Sequence, residues 1–289
     1  MVPGGLLVTG VRKAVIPAAG LGVRFLPITK AQPKEMLPVV NKPVIQYVIE
    51  EAYHAGLDQI LLITGKHKRA IEDHLDRSNL SSEYPVLREF DAILDAISLF
   101  YTRQKVQAGL GDAIRYAEAF VDDEYFAVLL GDNITFPNCT RDLIAVHQRY
   151  NAPVIAIERI SPDRVKNHGV IVGNEVEPGV YRIREMHEKP DEPLSDLAII
   201  GRYILPPEIF GYLSTTERGY GGEVQLTDAL HDMIRDGRDI YAVLHTGKRF
   251  DLGNNIDWLR ANLEIGLEDA EVGRDIKNWI TDYTGRSSE

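Results

Sequence analysis

Residues 13–38 read KAVIPAAGLGVRFLPITKAQPKEMLP, and the reading of this stretch decides the fold. Ala14, Val15 and Ile16 form a short apolar strand that breaks into Ala18-Ala19-Gly20-Leu21-Gly22. Glycines directly after a strand let backbone N–H groups turn toward one point, a concavity suited to an anion. Arg24, Lys30 and Lys34 follow within a few residues, in a loop stiffened by Pro27, Pro33 and Pro38. Backbone donors with fixed cations beside them describe a polyphosphate site.

Working outward, the strand–loop–helix pattern repeats. Pro43 starts a helix, VIQYVIEEAYHAG, ended by Gly56. A strand over Gln59–Thr64, a helix over 68–75, a polar break at 77–82, a helix over 84–96 and a strand over 99–102 come next. RQKVQAGLGDAIRYAEAF then holds a second pair of glycines, Gly109 and Gly111, and enters a helix at Asp112. The strand over 125–130 ends in Gly131-Asp132-Asn133. This alternation predicts an α/β fold with a largely parallel sheet covered by helices. Its loops gather at the carboxyl edge, where open α/β sheets bind ligands.

The second half differs in texture, with shorter strands and denser turns: PVIAIERI, GVIVG, YRIREMHEKP, LAIIGRYIL and a strand over 240–244. Helices are expected over 207–215, 224–235 and 255–266, with a polar helical tail after Gly273. No Ser/Gly/Pro-rich linker interrupts the chain, so two lobes of one domain are expected. The boundaries expected are 11–132 for the first half, 133–262 for the second half and 263–289 for the helical tail.

Composition sets limits. The 289 residues suffice for one large α/β domain with a sizeable core, and 44% hydrophobic with 26% charged residues is ordinary for a globular protein. A formal net charge of −11 argues against duplex nucleic acid or an anionic membrane as partner. Any phosphate site is therefore a local cationic pocket in an acidic molecule. The one cysteine, Cys139, excludes an internal disulfide and a thiolate metal cluster, in keeping with a reducing cytoplasm. Residues 1–10, MVPGGLLVTG, lack the basic start and long apolar core of a signal peptide and read as a frayed extension. No run is long enough to span a bilayer.

Several residues are candidates for chemistry. Gly20-Leu21-Gly22-Val23-Arg24-Phe25 fails the dinucleotide fingerprint at Phe25, and Ile63-Thr64-Gly65-Lys66 closes the second strand without an acidic residue. A nicotinamide dehydrogenase is disfavoured, and no Gly-Lys-Ser/Thr makes a P-loop. Arg24 and Lys34, as a fork and a point charge, suit a triphosphate chain. Asp132 at a strand end and Asp251 in RFDLGN are a carboxylate pair sufficient for Mg²⁺, which takes one or two protein carboxylates plus phosphate oxygens and waters. Cys139 reads as a small buried residue, Trp258 and Trp279 as helix-packing residues, and His168 and His187 have no metal-ligand spacing.

These blocks together resemble a known family. GLGVRFLPITKAQPKEMLP is similar to the signature of sugar-1-phosphate nucleotidyltransferases, G-x-G-T/S-R followed by P-K. The ending P-K-E-M-L-P with NKPVIQYVIEEA resembles the bacterial and archaeal UTP–glucose-1-phosphate uridylyltransferases. YTRQKVQAGLGDAI, EKP, GRYIL, GGEVQLTDA and FDLGNNIDWLRA are similar to further blocks of those enzymes, in the same order. The resemblance covers residues 13–266. It implies a Rossmann-like sheet of the nucleotide-diphospho-sugar transferase type (glycosyltransferase-A-like) and Mg²⁺-dependent reaction of UTP with glucose 1-phosphate, giving UDP-glucose and pyrophosphate.

It further implies that Ala19 and Gly20 meet uracil and ribose through their backbone, with Gly22 and Glu35 among the nucleotide contacts. Gln107 would read the uracil edge and Gly111 let the base pack close. Arg24 and Lys34 would hold the triphosphate, and Asp132 and Asp251 the metal. Gly169, Glu188 and Lys189 would take the sugar phosphate, Lys189 pairing with its phosphate. A dimer or tetramer is implied as well. Two departures stand out. Val23 occupies the Thr/Ser position, and Leu130-Gly131-Asp132-Asn133 looks more like thymidylyltransferase relatives, which keeps dTTP as an alternative donor. A non-catalytic nucleotide-sugar sensor is the alternative of another class, and the full set of carboxylates and cations speaks against it.

Overall fold

The structure, a computed structural model, describes residues 10–192 and 194–286. The frayed extension expected over residues 1–10 lies, apart from Gly10, outside the described residues. The first half runs through β1 (Lys13–Ala18), a two-residue ribbon of β2 (Pro38–Val39) and β3 (Lys42–Pro43), α1 (Val44–His54), β4 (Gln59–Thr64), α2 (Arg69–Leu75), α3 (Pro85–Ala96), β5 (Ser98–Arg103), α4 (Leu110–Arg115), α5 (Glu118–Val121) and β6 (Phe126–Leu129). The second half adds β7 (Asn133–Phe136), α6 (Cys139–Tyr150), β8 (Val154–Arg159), β9 (Gly169–Glu177), β10 (Val180–Glu188), β11 (Leu197–Leu205), α7 (Ile209–Thr215), α8 (Leu226–Arg235), β12 (Tyr241–Leu244), β13 (Lys248–Asp251), α9 (Asn255–Glu268) and α10 (Gly273–Arg286).

One nine-stranded sheet, in the order β5-β4-β1-β6-β11-β8-β12-β10-β9, runs through both halves. Strands β5, β4, β1 and β6 are parallel, with Ala14 level with Ile60 on one side and Ala127 on the other. Their near-continuous apolar sequences fit strands covered on both faces. Alternation along each strand divides the core. Val15, Ile63 and Val128 pack with Ile114 of α4 and Leu230 of α8, whereas Ile16, Leu62 and Leu129 pack with Ile45 and Ile49 of α1 and Leu143 of α6. After β5 the chain crosses back to place β6 on the far side of β1. That reversal makes the carboxyl ends of β1 and β6 the switch point, where a crevice opens for ligands.

The expected parallel order holds for the first half and for the β8–β12 pair, but β11 runs antiparallel to both β6 and β8, as does β10 to β9 and β12. The sheet is therefore mixed. Short strands do occur in the second half, but β9, β10 and β11 have nine residues each, since turn-like residues such as Gly173 and Gly201 lie within strands. Helix α6, the two-residue β2–β3 ribbon and the β7–β13 ribbon escaped the sequence pattern, the strands of both ribbons being too short to read by period. The ribbon closes a third cluster, in which Val39, Val44, Ile134 and Phe250 pack with Trp258 and Ala261 of α9. Trp258 packs as expected and donates its indole N–H to Pro38 O at 2.8 Å. Trp279 does not: it is exposed and stacks on Tyr283, one turn along the same helix.

Cys139 begins α6 completely enclosed, with burial and the nearby Glu51 carboxylate pushing its thiol pKa up to about 12. A thiol that is neither accessible nor ionised reacts slowly. The native protein is expected to leave a disulfide reagent such as DTNB unreacted at pH 8, and to react with one equivalent in urea. Prompt stoichiometric reaction in native buffer would contradict this burial.

Candidate active site

The loop after β1 is built from three single turns of 3₁₀ helix, Val23–Phe25, Ile28–Lys30 and Lys34–Met36, pinned by the buried ring of Phe25. Thr29 Oγ1 donates to Gly22 O at 2.7 Å, so a hydroxyl fastens this turn although Val23, at the Thr/Ser position, is exposed. The loop folds Lys34 back over Gly20 until its ammonium bonds the Asp132 carboxylate just beyond β6. Burial alone lowers a lysine pKa, but Asp132, Glu35 and Asp251 outweigh it and raise Lys34 above its ordinary value. Burial likewise opposes ionisation of Asp132, and the Lys34 ammonium overrides it, holding the carboxyl below its ordinary value.

Glu35, expected among the nucleotide contacts, has its carboxylate turned into a buried pair with Lys68 Nζ at 2.6 Å. Burial pushes Glu35 up and Lys68 down, each opposed by the other's charge. Lys68 had no signal in the sequence beyond being one lysine in a basic run. Together Lys68, Glu35, Lys34 and Asp132 form a line of alternating charge under the loop.

Asp251 reaches the same place from the other half. In the β7–β13 ribbon Asp251 is level with Asn133, and Leu252 N donates to Asp132 O at 2.9 Å. Arg249 bonds Asp251 at 3.3 Å, Glu158 at 2.7 Å and Asn133 Oδ1 at 3.0 Å, which fixes the ribbon. Arg24 is exposed on this side. A methyl group built on Gly253 would meet its Nη1 at 3.6 Å and Asp251 Oδ1 at 3.1 Å.

A cleft of about 420 Å³ is lined by Ala19, Gly20, Lys34, Glu35, Asp132 and, from the second half, Lys189, whereas Arg24, Asp251, Gly169 and Glu188 are not among its lining residues. Another wall carries Gln107, whose amide lies beside Gly65, and Gln104, buried and donating to Gly109 O and to Asp112 Oδ2 at 2.8 Å. Gln104 was not foreseen, although an amide at the end of β5 is itself a sequence clue. Gly109 has φ of +110°, and a side chain there would strike Val224 O at 2.6 Å. Gly111 is buried one step further in, its N–H bonded to Val224 O, and it packs α4 against Val224 and Leu213 rather than lining the cleft.

In the second half, Gly169 and Glu188, expected to take the sugar, are partners across β9 and β10. Glu188 Oε2 accepts from Thr227 Oγ1 at 2.8 Å, and Glu188 Oε1 lies 3.3 Å from Lys189 Nζ. Lys189 Nζ also stands 4.8 Å from the centre of the Tyr220 ring. Thr227 and Tyr220 are additions that only the fold reveals. Among the described residues no group of three His, Cys, Asp or Glu is arranged to hold a metal, so a metal here would rest on two carboxylates.

Comparison with known proteins finds relatives along nearly the whole chain. The family model described as "Nucleotidyl transferase" matches residues 13–267. The chain is 44% identical to the UTP–glucose-1-phosphate uridylyltransferase YngB of Bacillus subtilis (strain 168), over 96% of this chain and 97% of that one. A solved UDP-glucose pyrophosphorylase complexed with UDP-glucose superposes with a TM-score of 0.85 at 41% identity, covering 90% of this chain and all of that one. A UTP-bound enzyme from Acinetobacter baumannii gives 0.84 at 33% identity, covering 94% and 99%.

The depressed pKa of Asp132 has a definite sign. Its contribution to stability is present above the ordinary carboxylate value, about 3.9, and is lost as pH falls through the lower folded value. The stability lost in Asp132→Asn relative to wild type is expected to be larger at pH 7 than at pH 3 in urea melts. An equal difference at both pH values would contradict the ion pair.

Proposed function

The chain belongs to the nucleotidyl transferase family, and from that premise we propose that it transfers the uridylyl group of UTP to α-D-glucose 1-phosphate, giving UDP-glucose and pyrophosphate. The observation that carries this reading is the single cleft that gathers the Gly20 loop, Lys34, Asp132 and Lys189. The relatives named above are uridine-nucleotide enzymes, which supports UTP over dTTP as the donor.

In this proposal an oxygen of the sugar phosphate attacks the α-phosphorus of UTP in line. One P–O bond forms as the bond to the β-phosphate breaks, with no covalent enzyme intermediate. A sugar phosphate is already ionised near neutral pH, so no general base is required. The protein's task is to bring two polyanions together and hold them aligned. Arg24 and Lys34 neutralise the triphosphate, and Lys189 the attacking phosphate. Gln107 offers its amide to the base, Ala19 and Gly20 backbone groups to the nucleoside, and Glu188 beside Gly169 an acceptor to the glucose hydroxyls.

Mg²⁺ fits the donor set, since a hard ion takes one or two protein carboxylates with phosphate oxygens and water, and the Lys34 ammonium already stands on one of them as a cation. Asp132 and Asp251 would hold it, and when bound it supplies Lewis-acid neutralisation of phosphate charge. A homo-oligomer, dimer or tetramer, and a cytoplasmic location belong to the same proposal. Leu259, Leu263, Trp279 and Tyr283 form exposed apolar surface on α9 and α10, and among the described residues no helix is long and apolar enough to cross a membrane.

The test is pyrophosphate release by three variants. Asp132→Ala and Arg24→Ala are expected to lower kcat by about 100-fold or more, as for removal of a group that stabilises developing charge. Lys189→Ala is expected chiefly to raise KM for glucose 1-phosphate, by about 10- to 100-fold for one charge-assisted contact. Wild-type turnover in all three would dismiss the assignment.

A further inference from the structure

Arg202, on β11, is completely buried, and every one of its five N–H donors has a partner. Nε and Nη2 take the Glu51 carboxylate at 2.8–3.1 Å. Nη1 donates to Gly201 O at 3.1 Å and to Leu130 O at 3.3 Å, and Nη2 to Asn133 O at 2.8 Å. Leu130 and Asn133 are the two ends of the turn that carries Asp132, closed by Asn133 N to Leu130 O at 3.3 Å. One planar guanidinium thus grips both ends of the turn, while Leu252 N holds its middle at Asp132 O.

The arginine is itself fixed from several elements. Glu51, on α1, also accepts from Thr135 of β7 at 3.1 Å and from Thr140 of α6 at 2.6 Å. Gly201 has φ of +78°, and a side chain there would strike Leu130 Cδ1 at 2.7 Å. The register of β11 against β8 slips at the same point, between Ile199 and Tyr203. Such irregularities re-aim a side chain next to a site, and this one turns Arg202 beneath the 130–133 turn.

Burying an ion pair costs desolvation, and a well-packed apolar pair often stabilises a fold as well. Stability alone does not require a fork spread over both carbonyls that flank Asp132. We propose that Arg202 is a positioning residue for nucleotidyl transfer: anchored by Glu51, it fixes the 130–133 turn and so the direction in which Asp132 presents its carboxylate. The proposal rests on the reading of Asp132 as the metal-holding carboxylate of the transfer site.

Arg202→Lys separates the two roles, because an ammonium keeps the charge opposite Glu51 but cannot span both carbonyls. The Arg202→Met/Glu51→Met double variant removes the buried charges together. Both are to be compared with wild type in thermal unfolding, in pyrophosphate release, and in Mn²⁺ binding followed by electron paramagnetic resonance with UTP present. The folded variants are expected to lose about 10- to 100-fold in kcat and about tenfold in Mn²⁺ affinity, with KM for glucose 1-phosphate changed less than about threefold. A folded variant with wild-type kcat and Mn²⁺ affinity overturns the proposal. So does loss of the fold in both, since the pair then serves stability alone. Wild-type turnover in Asp132→Asn would instead remove the premise about Asp132, whatever the Arg202 variants do.

Discussion

The ammonium of Lys34 and the carboxylate of Asp132 meet across the carboxyl ends of β1 and β6, and much of the molecule serves to hold them there. Buried charges are costly unless each has a partner with good geometry. The fold answers that constraint three times in one region, with Lys68–Glu35 beneath Lys34, Arg202–Glu51 beneath the turn of Asp132, and Arg249 between Glu158 and Asp251. No buried side-chain polar atom among the described residues lacks a partner. The outcome is a cleft whose charges are set in place before any ligand arrives, the arrangement that favours electrostatic catalysis.

The same constraint accounts for a site of cations in a chain of net charge −11. In the proposed reaction two anionic substrates approach an acidic molecule, and Lys34 and Lys189 in the cleft, with Arg24 proposed beside them, would make it receptive. The switch in the direction of strand addition around β1 supplies the crevice, and the β7–β13 ribbon brings the second carboxylate level with Asn133, next to Asp132 in the chain.

Much of this was legible in the sequence. The apolar runs of β1, β4 and β6 give strands buried on both faces, and Pro43 and Gly56 bracket α1 almost to the residue. Lys34 stood out because a rigid, partly apolar loop is an odd place for a free ammonium, and the structure gives it a carboxylate. Other features depend on what meets what in space. Glu35 is adjacent to Lys34 and lines the same cleft, yet only the fold shows that its carboxylate is paired with Lys68. Gly111 belongs to a glycine pair that resembles a ligand loop, and only the fold shows that it lies against Val224 and Leu213. Arg202 looks like one charged residue in an apolar strand until the bulge at Gly201 shows what it holds. The antiparallel half of the sheet was hidden for a related reason: hydrophobic alternation fixes which face is buried, not the direction of the neighbouring strand.

The central claim is that the cleft joins a uridine triphosphate to a sugar phosphate. It is tested most directly by measuring pyrophosphate release from the purified protein with UTP, glucose 1-phosphate and Mg²⁺, each omitted in turn, and again with dTTP as donor. The account predicts release that requires all three components, with kcat/KM higher for UTP than for dTTP. Release from UTP that is independent of glucose 1-phosphate, or a higher kcat/KM for dTTP, would contradict it.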